Sequence, residues 1–422
     1  MNFKKLKISE LIPAAYNPRK DLKPGDPEFE KIKNSIQEFG YVEPIIVNND
    51  LTVIGGHQRL KVLKELGYDE IECVVVIIDK TKKKALNVAL NKISGEWDSE
   101  ALSKLLDELN QEDYNIELTG FDFSETEKLW DEYKNERSDG DYSNDDDFDI
   151  EPPEEPVSQL GDLWILGKHR LYCGDSTLEH DVKILMTDDK ADMVFTDPPW
   201  NVNYGATDHP SWKKRTIMND FMPTEDFKEF MNATFNVMNQ FSKNGCMTYI
   251  VMSAQEWGNM MLTLKDNDYH WSSTIIWNKD SLVLSRKDYH TKYEPVWYGW
   301  KDGEARLKPL EDRKQSDVWD IPRPKVSELH PNCKPVELVV RTIKNSSNMK
   351  NIILDLFGGS GTTLIACEET DRLCRMMELD PKYMDVIVKR YIDKVGSEDN
   401  VYLIRSGNKF TYSQLKEQQA TA

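Results

Sequence analysis

The chain has 422 residues, more than one ordinary domain holds, so two or three folded units are expected. Hydrophobic residues make up 39% of it, enough to bury a core, and the 54 basic residues against 74 acidic ones leave a formal charge of -20, which at first argues against a nucleic-acid partner. No run of about 18 apolar residues is present, and the start Met1-Asn2-Phe3-Lys4-Lys5-Leu6-Lys7 lacks a leader's apolar centre, so no membrane span and a cytoplasmic address are expected.

The charge is unevenly spread. Between Ser138 and Pro156 stand nine acidic residues and no basic one, so this segment supplies close to half of the excess. Ending in Glu151-Pro152-Pro153-Glu154-Glu155-Pro156, it is expected to be a disordered acidic linker over 138–156. The six cysteines lack metal-knuckle or redox spacing and are expected to be reduced structural thiols, with no metal site.

Upstream of the linker, Phe29, Ile32, Ile36 and Phe39 repeat at helical spacing and stop at Gly40. A short strand over Glu43 to Val47 follows, then another over Leu51 to Ile54 that runs into Gly55-Gly56-His57-Gln58-Arg59. A helix follows through Leu60, Leu63 and Leu66, and a buried strand over Ile71 to Ile78. A glycine turn opening a helix directs free amides and the positive end of the helix dipole outward, which suits an anion. From Ala85 to Tyr133 the pattern is helical.

Downstream, Met193 to Thr196, Met247 to Met252, Thr274 to Trp277 and Asn351 to Leu356 are short apolar runs, and Thr362 to Glu369 reads as a helix. Strands alternating with helices predict a doubly wound parallel sheet, in which ligands gather at the carboxyl ends of strands.

Two motifs fall at such ends. In Asp355-Leu356-Phe357-Gly358-Gly359-Ser360-Gly361 a strand runs into glycines that open a helix, so a ligand can approach the backbone without Cβ atoms in the way. Glu378 lies 23 residues on, near the spacing at which an acidic side chain meets ribose hydroxyls. A bare strand-to-helix turn is the plainer alternative. In Asp197-Pro198-Pro199-Trp200 two prolines freeze the backbone and leave carbonyls free, Asp197 is a polar acceptor, and Trp200 offers a flat face for a base. Acceptors of this kind can draw the protons of an exocyclic amine, and a base reached in this way must leave its duplex.

On these residues, the stretch from about Val157 to Lys394 resembles an amino-group DNA methyltransferase of the permuted, beta-type order. Tyr172-Cys173-Gly174-Asp175-Ser176, His330-Pro331-Asn332-Cys333-Lys334-Pro335 and Met377-Glu378-Leu379-Asp380-Pro381 support the likeness. It implies S-adenosyl-L-methionine as cofactor. Asp175 would meet its adenine, Lys334 and Pro335 its methionine end, and Asp355, Phe357, Gly358, Gly359, Gly361 and Thr362 its adenosyl moiety, with Glu378 on the ribose and Asp380 in the same set. Asp197, Pro198, Pro199 and Trp200 would be catalytic. Asp at the first position resembles enzymes of adenine N6 more than of cytosine N4, which stays the alternative.

Between Asn201 and Arg323, Lys213-Lys214-Arg215, Arg286-Lys287, Lys292, Arg313-Lys314 and Arg323 interleave with Trp212, Tyr289, Tyr293 and Trp319. An inserted DNA-recognition region over about 201–325 is therefore expected. Residues 5 to 95 resemble the ParB/sulfiredoxin-like fold, a small α+β domain in which Gly56, His57 and Arg59 would meet a nucleotide or DNA.

The expected chain is thus a ParB-like domain over 1–96, a helical extension over 97–137, the linker, and a Rossmann-like α/β methyltransferase domain over 157–422. Double-stranded DNA is the expected partner, with a nucleotide at the first domain and a homodimer left open. Such fusions resemble proteins of phages and mobile elements, and restriction-modification is an expected setting. A ParB-like nucleotide-dependent DNA-binding protein is the alternative of a different class.

Overall fold

A computed structural model describes residues 2–91, 97–112, 114–121, 150–202, 218–283, 288–310, 314–324 and 333–421, together with 125, 126, 129, 146 and 148. The chain forms two compact units, Met1–Gly140 and Asp141–Ala422.

The first unit has a five-stranded sheet of β1 (Asn2–Lys7), β2 (Ile12–Pro13), β3 (Ile45–Asn48), β4 (Thr52–Gly55) and β5 (Glu70–Val76), in the order β1-β5-β3-β4-β2. Helices α1 (Pro27–Phe39) and α2 (His57–Glu65) lie between the strands, and α3 (Lys80–Asn91) and α4 (Ser99–Gln111) follow. Phe29, Ile36, Ile45, Val53, Leu60, Leu63 and Ile71 form the core. Phe39, the last residue of the expected apolar stripe, is 70% exposed, because α1 ends there against Gly40 at φ 77°.

The second unit is built on an eleven-stranded sheet. Its strands are β6 (Leu163–Leu166), β7 (His169–Cys173), β8 (Ala191–Thr196), β9 (Ser242–Val251), β10 (Tyr269–Val283), β11 (Thr291–Lys301), β12 (Val318–Asp320), β13 (Ile352–Asp355), β14 (Leu373–Glu378), β15 (Val401–Arg405) and β16 (Asn408–Phe410). Their order is β12-β10-β11-β9-β8-β13-β14-β7-β6-β15-β16. From β9 through β8, β13 and β14 to β7 the neighbours run parallel. Such strands are covered on both faces, which is why β8 and β13 are nearly continuous apolar runs.

Helices α5 (Glu179–Met186), α6 (Thr224–Gln240), α7 (Trp257–Asp266), α8 (Val336–Ser346), α9 (Thr362–Glu369), α10 (Pro381–Val395) and α11 (Tyr412–Thr421) complete the unit. Two apolar clusters hold them to the sheet, one containing Trp164, Met193, Val339 and Ile365, the other Val194, Phe227, Phe235 and Leu354. Alternate residues of β8 and β13 thus enter opposite layers. This is the doubly wound Rossmann-like architecture, and the strand order reverses between β8 and β13, the place at which ligands gather at the carboxyl ends of strands in such sheets.

The acidic segment differs from the expected linker at its far end. Residues 130–145, 147 and 149 lie outside the described residues, but Ile150 is buried, Phe148 stacks 3.9 Å from the Arg390 guanidinium, and Asp146 accepts a hydrogen bond from Val336 N at 2.9 Å. Apolar side chains within the acidic run find a core to enter, and one carboxylate finds the free amides of the α8 N-terminus. Among the described residues no helix is long and apolar enough to cross a membrane, and no group of three or more His, Cys, Asp or Glu could hold a metal ion.

Candidate active site

β8 ends in Thr196, directly before Asp197, and β13 ends in Asp355; the two ends are neighbours because Ile353 pairs with Met193 and Leu354 with Val194. Thr196 donates to Asp355 Oδ1 at 2.9 Å, fastening one strand end to the other. Asp355 also accepts from Thr363 Oγ1 at 2.6 Å and Phe357 N at 3.1 Å, and it is only 3% exposed. It therefore braces the glycine loop from beneath rather than facing a ligand, and burial pushes its carboxyl up to about 7.

The loop's shape follows from its glycines. A Cβ at Gly358 would meet Met376 side-chain atoms at 2.9 Å, and one at Gly361, where φ is 86°, would meet Ile387 at 3.0 Å. Gly359 has φ 53° with nothing within 4 Å of its Cβ direction, so the loop is packed beneath and open above. Its amide donates to Glu378 Oε2 at 2.7 Å, at the end of the adjacent β14, and Asp380 N donates to Glu378 Oε1 at 2.9 Å. Burial pushes the Glu378 carboxyl up to about 7.

Asp175 follows β7, whose Cys173 pairs with Glu378, and its Oδ1 accepts from Thr177 N and Oγ1 at 2.8 and 2.7 Å. Asp380 caps α10 by accepting from Lys382 N. Phe357, Gly358, Gly359, Gly361, Thr362, Glu378 and Asp175 are thus gathered at three adjacent strand ends. An open glycine backbone with a carboxylate beside it fits an adenosyl group whose ribose hydroxyls need acceptors.

Asp197 is the meeting point of the two motifs. Trp200 Nε1 donates to its Oδ1 at 3.1 Å, and Lys334 Nζ lies 2.6 Å from its Oδ2. The Lys334 carbonyl in turn accepts from Thr362 Oγ1 at 3.3 Å, and Pro335 precedes α8. Lys334 therefore spans from the start of the helix behind the glycine loop to the Asp197 carboxylate, 5.0 Å from the Trp200 ring centroid.

Burial pushes Asp197 up while Lys334 pulls it down, the net direction being upward. Burial lowers Lys334, but Asp197 and Glu294 outweigh it and hold the ammonium above its usual range. Pro198 and Pro199 fix the backbone between Asp197 and Trp200, and Trp200 N is held by Asp220 Oδ1 at 3.2 Å.

Two residues join this site that the motifs did not indicate. Glu294 on β11 lies 3.4 Å from Lys334 Nζ through Oε2 and 2.5 Å from Lys279 Nζ through Oε1. A charged pair at interior positions of two strands, near Trp277 and Val296, was the available signal, but its partners come from cross-strand geometry.

Several expected nucleic-acid contacts are corrected or fall outside the description. Trp319 is 3% exposed, with the Arg341 guanidinium 4.3 Å from its ring centroid, because β12 pairs with β10 and carries it into the core. Arg323 engages Asp280 and Ser281. Tyr289 is 89% and Tyr293 42% exposed. Trp212, Lys213, Lys214, Arg215, Arg286, Lys287 and Arg313, with His330, Pro331 and Asn332, lie outside the described residues.

In the first unit, Gly56 takes the left-handed conformation at φ 92° before α2. His57 is buried, accepts from Ala14 N at 3.3 Å, and is held down to about 4 by that burial. Arg59 bonds the Glu43 carbonyl at 2.7 Å and its carboxylate at 2.8 Å. The three residues lie within four consecutive positions, yet the two side chains are committed within the unit.

Comparison with known proteins places names on these units. Residues 191–389 match a DNA methylase family model of the N6/N4 type, residues 1–92 a ParB N-terminal domain, and residues 100–160 a ParB-methyltransferase HTH domain. The chain thus carries a region that matches a ParB N-terminal domain ahead of one that matches an N6/N4 DNA methylase.

Its second unit accordingly carries a DNA methylase region, within which both motifs lie. The HTH match runs through both the expected helical extension and the acidic segment. The chain is 25% identical over 225 residues to the Type II methyltransferase M2.MboI of Moraxella bovis, covering 48% of this chain and 81% of that protein. It is 28% identical over 240 residues to the DNA adenine methyltransferase YhdJ of Escherichia coli K12, covering 48% and 76%. A solved M1.HpyAVI–SAM complex is 20% identical with a TM-score of 0.41, covering 52% of this chain and 97% of that one.

Proposed function

We propose that this DNA methyltransferase modifies the exocyclic amino group of adenine in duplex DNA, with Asp197, Pro198, Pro199 and Trp200 as the catalytic set. The observation that carries this reading is the Asp197 carboxylate, fixed at the crevice mouth and tied through Lys334 to the helix behind the glycine loop.

When bound, S-adenosyl-L-methionine supplies an electrophilic methyl whose sulfur–carbon bond breaks as the new nitrogen–carbon bond forms. The glycine loop and Glu378 would hold the donor's adenosyl end, Asp175 would border its base, and Lys334 with Pro335 would border its methionine end. Asp197 and the Pro198 carbonyl accept the two amine hydrogens, which turns the nitrogen lone pair out of the ring system and toward the donor. Burial raises the basicity of Asp197, which suits it to take the proton that the methylated amine sheds. Trp200 supplies a ring at which the extruded base stacks. Positioning and exclusion of water account for most of the expected acceleration.

The name of the Escherichia coli relative and the leading Asp of the tetrapeptide support adenine over cytosine. The test is to incubate the chain with unmodified genomic DNA and S-adenosyl-L-methionine, digest to nucleosides, and measure masses. N6-methyladenine supports the reading, and N4-methylcytosine replaces it with the alternative.

At the first unit the reading is narrower. Gly56 presents backbone at the start of α2, and a nucleotide phosphate there would draw Arg59 away from Glu43. Titration with a fluorescent nucleoside triphosphate reads such binding, and Arg59→Ala would abolish it.

A further inference from the structure

We propose that Lys334 is a two-position latch on Asp197, and that Glu294 is its second seat. The inference rests on the reading of Asp197 as the acceptor of the amine.

Both oxygens of Asp197 are engaged in the structure, Oδ1 by Trp200 Nε1 and Oδ2 by Lys334 Nζ. Each oxygen thus has one of its acceptor directions taken, and in this proposal the entering amine uses the Oδ2 direction that the ammonium now occupies. Glu294 offers the ammonium another place. Its Oε1 is taken by Lys279 at 2.5 Å, whereas its Oε2 is buried, carries no hydrogen bond, and lies 3.4 Å from Lys334 Nζ. A buried carboxylate oxygen left unbonded is costly, so the site holds a vacant acceptor within one short side-chain movement of the cation.

The chain is arranged so that only the end of Lys334 needs to move. Its carbonyl is held by Thr362 Oγ1 and the next residue opens α8. A swing of the ammonium toward Glu294 on the order of an ångström gives an ordinary charge-assisted bond there and carries Nζ out of hydrogen-bond reach of Asp197 Oδ2. Lys279, Glu294, Lys334 and Asp197 carry two positive and two negative charges in either position, so the shift creates no uncompensated buried charge. In the first position Lys334 masks Asp197. In the second it leaves Oδ2 for the amine while still neutralising the cluster. Glu294 is thus a positioning residue, acting through Lys334.

The full-length chain tests this with Glu294→Gln, which keeps the shape of the seat and removes its charge. The latch predicts at least a tenfold fall in kcat on unmodified duplex DNA, with the Kd for S-adenosyl-L-methionine, read by equilibrium dialysis, changed less than twofold. Lys279→Met leaves the cluster one cation short and so lowers the thermal midpoint, but it keeps the charge of the seat, so kcat falls less than threefold. Glu294→Asp keeps the charge but withdraws the seat by one methylene, and gives an intermediate loss.

The latch is overturned if Glu294→Gln keeps kcat within threefold, or if Glu294→Gln and Lys279→Met lose rate together in step with their thermal midpoints, as a mere brace between β10 and β11 would. An active Asp197→Ala chain sinks the acceptor reading itself. An inactive Asp197→Ala chain beside a fully active Glu294→Gln chain sinks the latch alone.

Discussion

Lys334 Nζ stands 2.6 Å from Asp197 Oδ2, an ion pair between residues 137 positions apart that ties the start of α8 to the end of β8. The Lys334 side chain is 8% and that of Asp197 27% exposed, so the pair lies at the boundary between core and crevice. A charge so placed is stable only with its partner.

Removing the cation should therefore be felt in stability as well as in activity. Lys334→Met leaves Asp197 without its cation and Glu294 with Lys279 alone, and breaking a buried pair in this way costs about 3–5 kcal/mol. Urea unfolding of the variant should show that loss, and the double change Lys334→Met with Glu294→Gln should recover part of it. Additive losses would mean that the two residues do not share one cluster.

The carboxylates of the donor site predict a pH dependence. Asp355 and Glu378 titrate near 7 in the fold, above their values in an unfolded chain. Between about pH 4 and 7 the fold holds more protons than the unfolded chain, so stability without ligand falls as pH rises through that window. Ribose hydroxyls donate to ionised Glu378, so affinity for S-adenosyl-L-methionine should rise from pH 6 to pH 8. Calorimetric titration checks this, and Glu378→Gln should both weaken binding and flatten the profile.

The glycine loop makes a sharper local prediction. Gly361→Ala places a Cβ 3.0 Å from Ile387 on a backbone at φ 86°. The left-handed conformation alone costs about 1–2 kcal/mol for a residue with a Cβ. Affinity for S-adenosyl-L-methionine should fall at least tenfold. Gly359→Ala meets no neighbouring atom and should be milder in thermal denaturation.

The tail of the acidic segment should matter to the methylase unit. Asp146 accepts from the first amide of α8, next to Pro335, and Phe148 packs on Arg390, whose guanidinium donates to Ser360 O at 3.0 Å and Thr362 Oγ1 at 3.2 Å. Asp146→Ala should destabilise the unit by about 1–2 kcal/mol. Phe148→Ala should weaken binding of the methyl donor, as equilibrium dialysis would measure.

Much of this architecture was legible in the sequence because it depends on local signals. The apolar runs ending at Thr196 and over Asn351 to Leu356, the prolines after Asp197 and the glycines after Phe357 state strand ends and tight turns directly. Composition also misled: the acidic run from 138 to 156 reads as linker throughout, yet Ile150 and Asp146 find partners in the core and at a helix end. Trp319 reads as a surface aromatic among basic residues, yet strand pairing buries it. The Lys279–Glu294–Lys334 chain could not be read at all, because its contacts join β10, β11 and the approach to α8, and only the folded register brings them together.

The most direct test of the central claim is transfer of tritiated methyl from S-adenosyl-L-methionine to unmodified duplex DNA by the wild-type chain and by Asp197→Ala, each shown by equilibrium dialysis to bind the donor. Incorporation by the wild type and a loss of at least a hundredfold in the variant, with donor affinity retained, is the predicted result. Incorporation at equal rates would contradict the assignment of Asp197 as the group that engages the amine.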